Sequence, residues 1–295
     1  MDISSLRPIR TMLFVPGNRP AWLEKALAAG PDAVVLDLED SVPVAEKPAA
    51  RTMVADAIDA HAGGRTRLMV RVNRGNHLYD FDDILSVVRP GLSALFIPKA
   101  DDVTDVEMAS RMAAEAEERA GMAPGSVHLV VALETAKAVQ TCYEIMQHPR
   151  VETMTACAAR NADVARALGF DWTAEGLETL FLRSRAVTAC RAAGKPYPVG
   201  GLWQDVHDLE GLRQFAEFNR KLGFRGEIVL HPSNVAVVNE VYSLSAKDRA
   251  YYEGMIAAFA KAEAEGRASV MYAGEHIDIA HVATAQAILA DAGRG

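Results

Sequence analysis

Eight short apolar runs, separated by longer stretches with helical periodicity, limit what this chain can fold into more than any other feature. The clear ones fall at residues 12–15, 33–36, 68–72, 94–97, 128–133 and 227–230, with weaker ones at 151–157 and 197–203. Most are continuous rather than alternating, as in strands covered on both faces. After the first run, Pro20 can take a first helical position, and Trp22, Leu23, Ala26 and Leu27 form an apolar stripe that stops at Gly30. Residues 45–61 place Ala50, Met53, Val54, Ala57 and Ile58 on one helical face. Helical stretches at 101–120, 135–146, 174–193 and 208–222 follow, the last running into Gly223. Strands alternating with helices argue a parallel α/β fold, and eight of them in 295 residues argue a (β/α)8 TIM barrel over a doubly wound sheet. No GxGxxG or GxxxxGK[ST] follows any run. From residue 245 the pattern changes to a helix at 246–265, a β-like run at 269–272 and a final helix at 279–292. The chain therefore reads as a barrel domain, 1–244, and a C-terminal helical extension, 245–295, that packs on the barrel or on a neighbouring subunit.

Charge removes several function classes. Lys and Arg number 31 against 39 Asp and Glu, a net −8. Nucleic-acid binding needs an electropositive face, so none is expected. The longest apolar stretches, such as 129–133, are too short to cross a bilayer, so no membrane partner is expected either. Residues 1–8 lack the apolar segment of a secretory signal. The three cysteines, Cys142, Cys157 and Cys190, form no CxxC or His/Cys ligand spacing, which fits a reducing, cytoplasmic setting.

In a barrel of this kind the functional groups stand where strands end. The polar residues closing the runs are Asp37, Glu39 and Asp40; Arg71 and Asn73; Lys99; Glu134; Asn161 and Asp163; and His231. Glu134 and Asp163 each read either as a helix N-terminal carboxylate or, together, as a hard oxygen site of the sort Mg²⁺ takes, with water and substrate filling its shell. Arg71 reads either as a partner for Glu39 and Asp40 or as a fixed cation for a carboxylate or a developing enolate oxygen. Arg7, Arg10, Arg19 and Lys25 form either a solvated face or a seat for phosphates or a carboxylate at the barrel mouth. Cys157 reads as packing, since no base is identifiable beside it, and His61, His148 and His207 read as surface histidines.

Residues 10–41, RTMLFVPGNRPAWLEKALAAGPDAVVLDLEDS, resemble the opening of the citrate lyase β-subunit-like (CitE-like) group of the HpcH/HpaI aldolase family, related to the malyl-CoA and citramalyl-CoA lyases. The resemblance continues in the family's order through RVN at 71–73, IPKA at 97–100, ALETAKAV at 132–139, DLEGL at 208–212, LHPSNVAVVNEVY at 230–242 and GEHIDIAH at 274–281. It implies a Mg²⁺-dependent carbon–carbon lyase, with Mn²⁺ as an alternative ion. Such an enzyme splits or forms a β-hydroxyacyl-CoA thioester, with a keto acid and acetyl-CoA on the other side, and assembles as a homotrimer or hexamer. By position, Glu134 and Asp163 resemble the metal ligands and Arg71 the substrate-binding arginine. Phe14, Arg19 and Lys25 match coenzyme A contacts, and Leu230 and His231 lie where the last strand meets the thioester. Asp278 matches an acid that can enter a neighbouring subunit's site. The chain departs from the family's phenylalanine-glycine-x-glutamate-aspartate pattern at residues 157–163, where Ala162 stands beside Asp163, and it has Gly200 in place of an aspartate and His276 in place of a methionine.

Two rivals remain. One is a metal aldolase acting on free 2-oxo acids without coenzyme A, which has no need of Arg19 and Lys25. The other is a non-catalytic barrel subunit, suggested by the altered 157–162 stretch and opposed by Glu134, Asp163 and Arg71.

Overall fold

The computed structural model describes residues 7–293. Its eight parallel strands close on themselves in chain order, β1 pairing with both β2 and β8. They are β1 Thr11–Pro16, β2 Ala33–Asp37, β3 Arg67–Arg71, β4 Leu92–Ile97, β5 His128–Ala132, β6 Val151–Thr155, β7 Val199–Gly200 and β8 Gly226–Val229. Side chains alternate across a strand. Met12, Val35, Met69, Ala94, Phe96, Val130, Val199 and Ile228 fill the barrel interior, while the residues between them face the helices. This double coverage is why the runs read as unbroken apolar segments.

Between the strands lie α1 Pro20–Ala28, α2 Lys47–His61, α3 Phe81–Val87, α4 Val103–Arg119, α5 Ala136–Gln140, α6 Cys142–Gln147, α7 Asp163–Leu168, α8 Leu180–Ala192, α9 Leu209–Leu222 and α10 Pro232–Tyr242. Several differ from the periodicity. The 135–146 stretch is two helices, broken at Thr141. Helix α8 starts at Leu180, six residues later than its apolar pattern, because Gly176 adopts φ +66 and the chain turns there first. Trp22 and Met53, placed on buried stripes by spacing, are 54% and 38% exposed, since two turns around Leu23/Ala26 and Ala50/Val54/Ile58 already cover the contact. His148 is not a surface histidine. It is half-buried, its Nε2 is 3.2 Å from Glu107, and its Nδ1 accepts from the Arg150 main chain.

The chain divides into two compact units after Val241. The second unit holds α11 Ala246–Ala264, the antiparallel pair β9 Ser269–Tyr272 and β10 Glu275–Asp278, and α12 Ile279–Ala292. Met255, Phe259, Ile277, Val282 and Ala285 form its own core. Ala273 and Gly274 both take positive φ, the requirement of a two-residue hairpin turn. Among the described residues, no helix is long and apolar enough to cross a membrane.

Candidate active site

Strand register assembles the site. Asp37 closes β2 directly opposite Arg71, which closes β3, and Arg71 lies opposite Phe96 of β4. All three follow interior positions by two residues, so they point into the barrel at its carboxyl end. Arg71 Nε and Nη2 donate to the two Asp37 carboxylate oxygens at 2.7 and 2.8 Å, a bidentate fork. Nη1 is 2.9 Å from Glu39 Oε2, but off the N–H direction. The guanidinium sits 5.2 Å above the Phe14 ring, which meets Phe96 edge-on at 5.3 Å. Arg71 thus pairs with Asp37 and Glu39. The expected partner Asp40 instead faces solvent, 3.5 Å from Lys99 Nζ.

Burial, against the pull of the Arg71 hydrogen bonds, would raise Asp37. The hydrogen bonds prevail and hold it below the ordinary carboxylate range, helped by main-chain N–H groups of Glu39 and Ser41. The acidic loop is braced from outside by Lys47, whose Nζ donates at 2.7 Å to each of the Leu38 and Glu39 carbonyls and to Asn73 Oδ1. Burial first, and the neighbouring Glu39 and Asp163 charges after it, push Glu134 up from 4.5 to about 7. Glu134 is not a helix cap, because Thr135 fills that role for α5. Asp163 is the first residue of α7 and pairs with Arg166, so its dipole reading and its site reading both fit.

A cavity of about 370 Å³ opens among these groups. Of the residues singled out by sequence, Phe14, Asp40, Arg71, Glu134, Asp163 and Leu230 line it, and so does Cys157. Burial raises the Cys157 thiol, which keeps it neutral. Thr155, Ala159, Asn161, Ala162 and Leu202 complete much of the wall, so the altered 157–163 stretch is cavity surface. Gly200 is not. A Cβ there would lie 2.8 Å from Glu227 Oε2 and 3.0 Å from Asn219 Nδ2, side chains between the barrel and α9. Glu227 fills the space a side chain at 200 would need.

The four N-terminal cations do not gather at the mouth. Arg10 precedes β1 and forks onto Asp32, ahead of β2, at the opposite end of the barrel. Arg7 lies further back in the chain and is exposed. Arg19, exposed, stands at the start of α1 on the mouth side and makes no side-chain cap. Lys25 is in the last turn of α1, roughly 9 Å down the axis from Arg19 at 1.5 Å per residue. His231 is exposed, with Nδ1 2.7 Å from Ser233 Oγ. Asp278 belongs to the second unit, where it caps α12 and hydrogen-bonds His281.

Lys99 is the residue that sequence reasoning left without a role. Its main-chain N–H donates to Glu134 Oε2 at 3.0 Å, and its Nζ is 2.5 Å from Glu39 Oε1 and 3.8 Å from Asp163 Oδ2. The signal was a lysine directly after an apolar run, in a loop otherwise matched to acidic neighbours. Among the described residues, no group of three or more His, Cys, Asp or Glu is arranged to hold a metal ion. Two carboxylates, Glu134 and Asp163, offer hard oxygen donors on one cavity, leaving the rest of an octahedral shell to water and ligand.

Fold and site define a (β/α)8-barrel enzyme with an arginine and paired carboxylates at the carboxyl ends of its strands. The chain belongs to the HpcH/HpaI aldolase/citrate lyase family, whose family model matches residues 10–232. It is 34% identical to the citrate lyase subunit beta-like protein of Deinococcus radiodurans, over 95% of this chain and 96% of that one. It is 33% identical to the L-malyl-CoA/beta-methylmalyl-CoA lyase of Cereibacter sphaeroides, over 97% of this chain and 95% of that one. The solved structure of the CitE protein of Mycobacterium tuberculosis, in complex with magnesium, acetoacetate and coenzyme A, superposes with a TM-score of 0.76. That match has 26% identity and covers 98% of this chain and 99% of that one. By membership in this family the chain is a lyase acting on carbon–carbon bonds.

Proposed function

We propose that this protein cleaves or forms the carbon–carbon bond of a β-hydroxyacyl-CoA thioester such as malyl-, citramalyl- or citryl-CoA, with a keto acid and acetyl-CoA on the other side. The observation that carries the reading is that Arg71, Glu134 and Asp163 line one cavity whose other walls are largely apolar. A divalent cation, Mg²⁺ or Mn²⁺, fits the donor set. Both carboxylates are hard oxygen ligands, and Glu134 is raised by burial first and by the neighbouring Glu39 and Asp163 charges after it, a setting that a bound cation would relieve. Bound there, the ion supplies Lewis acidity to the keto-acid oxygens. Arg71 keeps N–H groups on Nη1 and Nη2 beyond those given to Asp37, and these donate to the thioester oxygen as enolate charge develops on it. Phe14, Leu202, Ile228 and Leu230 exclude water from the reacting carbon. Lys25, like Arg19, and His231 after the last strand are proposed to meet the coenzyme.

Asp278 is proposed as the acid that returns a proton to the enolate carbon across a subunit boundary. Its hydrogen bond to His281 holds it below the ordinary range, so it must leave that pairing to act as a donor. The assembly proposed is a homotrimer or hexamer. Support comes from Met271 and Ile279 in the second unit, 64% and 63% exposed, apolar groups that a partner would cover. Light scattering at micromolar concentration should give a multiple of three chains, and a monomer would remove this proposal together with the role for Asp278.

The test is a panel of acyl-CoA thioesters incubated with Mg²⁺, with release of free keto acid as the readout and a chelator as the control. Arg19→Ala belongs in the same experiment. A charge-assisted hydrogen bond to a coenzyme phosphate is worth roughly 1.5–3 kcal/mol. Its loss should weaken acetyl-CoA binding about tenfold to a hundredfold and leave pyruvate or glyoxylate binding unchanged. Equal losses for both ligands would make Arg19 structural. Cleavage of free 2-oxo acids with no thioester turnover would favour the CoA-independent aldolase, and no turnover of either would favour a non-catalytic barrel.

A further inference from the structure

We infer that the Lys99 ammonium, held on Glu39 beside the cation site and within 3.8 Å of Asp163, offsets part of the site's negative charge in the metal-free protein and opposes the divalent ion, so that it sets the affinity of the site. The inference rests on the metal reading above and deepens it. Lys99 follows β4 with φ +51, a left-handed conformation unusual for a lysine. That conformation does two things at once. It turns the main-chain N–H onto Glu134, 3.0 Å from Oε2. It also carries the side chain over the acidic loop, where Nζ lies 2.5 Å from Glu39, 3.5 Å from Asp40 and 3.8 Å from Asp163. One residue therefore touches both proposed ligands, one through the backbone and one through its charge.

The other nearby cations, Arg71 and Arg166, also act on the two proposed ligands but from different positions. Arg71 is committed to Asp37 and Glu39. Arg166 pairs with Asp163 from the last turn of α7 and is largely exposed. Lys99 is left as the neutralising charge shared by Glu39, Asp40 and Asp163. A doubly charged ion on Glu134 and Asp163 would stand within a few ångströms of the ammonium, and like charges at that distance in a half-buried site repel strongly. The lysine has somewhere to go. Its side chain is 32% exposed, its stem is flexible, and Asp40 beside it is 62% exposed and faces solvent. A swing away from Asp163 toward Asp40 and solvent frees that carboxylate while the main-chain bond to Glu134 stays in place.

Substitution separates the two contacts, because every residue except proline keeps the main-chain donor. Mn²⁺ titration by calorimetry on the intact protein, without substrate, is the test. Lys99→Met should bind Mn²⁺ about tenfold tighter or more, the scale of removing a unit charge beside a partly buried ion. Lys99→Arg, which keeps the charge, should stay near the unaltered protein. A residue that merely braced the site would give the opposite result, weaker binding on removal. Lys99→Gly removes the ammonium and also suits the left-handed backbone, so it serves if the methionine variant does not fold. In the unaltered protein, the ¹⁵N ammonium resonance of Lys99 should shift as Mg²⁺ is added and saturate with the site. Equal or weaker Mn²⁺ affinity in folded Lys99→Met or Lys99→Gly would overturn the inference while leaving the metal site standing. No Mn²⁺ binding by any form would overturn the metal reading itself, and this inference with it.

Discussion

Replacing Arg71 with methionine should cost at least about a hundredfold in turnover, together with about 3–5 kcal/mol of folding stability. The two losses have separate causes. Asp37 is 1% exposed and Glu39 6%, so removing the guanidinium leaves two buried carboxylates short of their partner. Breaking a buried pair from one side is far more damaging than never having had it. Asp37 keeps its two main-chain donors, which holds the loss inside that range rather than above it. The catalytic loss follows from the role proposed for the donors left over on Nη1 and Nη2, stabilising enolate charge as it develops. Arg71→Lys should recover part of the stability but little of the turnover, because an ammonium cannot span both Asp37 oxygens and still present a second donor. Asp37→Asn combined with Arg71→Met should regain stability and no activity. Urea unfolding and steady-state kinetics read the two effects apart. An Arg71→Met enzyme within tenfold of the unaltered one would take Arg71 out of the chemistry.

The barrel was legible because its strands are covered on both faces, so most of them announced themselves as unbroken apolar runs. The weakest run became the shortest strand. Between residues 197 and 203 only Val199 and Gly200 pair with their neighbours, because the glycines at 200 and 201 leave little side chain to pattern. Helix α3 went unread because its seven residues carry only Ile84 and Val87 as buried aliphatics beside the buried, polar Asp83. Strand β10 was missed for a similar reason. Only Ile277 of its four residues is buried, and its real signal was the Ala273–Gly274 turn before it.

The site was legible as a set of strand-terminal residues and illegible as a set of partners. Strand ends gave Arg71 and Glu134 their places, since the carboxyl end of a barrel strand has one location in space, while Asp163 reaches the same cavity from the start of α7. Pairing is decided by register and by the direction of each loop. Asp37, not Asp40, holds Arg71 because β2 and β3 pair in a register that sets them side by side, and Asp40 lies past the turn. Lys99 stands among the strand-terminal residues without a role because its contacts come from a left-handed backbone that no residue type announces. The Arg10–Asp32 fork shows the converse: Arg10 and Arg19 are near in sequence, but a whole strand sets them at opposite ends of the barrel.

Raising the pH of the metal-free protein from about 5 to 8 should lower its stability, and a divalent cation should cancel the loss. Glu134 rises from 4.5 to about 7 on folding, so between those values the folded chain holds a proton the unfolded chain has released. Stability then falls as pH rises, being fully present below about 4.5 and lost by about 7, with a ceiling of about 3 kcal/mol. Glu39, raised by burial, adds to the slope in the same direction. Asp37, held low, acts below its ordinary range and outside this window. A divalent ion binds the carboxylate form, so it should displace the proton and bind more tightly as pH approaches 7. Glu134→Gln removes both behaviours, flattening the stability profile to the share left by Glu39 and abolishing metal-dependent turnover. Asp163→Ala should abolish the same turnover while keeping a reduced slope, since Glu134 then loses one of the charges that raises it. Melting curves across this range, with chelator and with Mg²⁺, check the linkage. A Glu134→Gln profile as steep as that of the unaltered protein would assign the titration elsewhere, and full activity of Asp163→Ala in Mg²⁺ would break the pairing of these two carboxylates as a metal site.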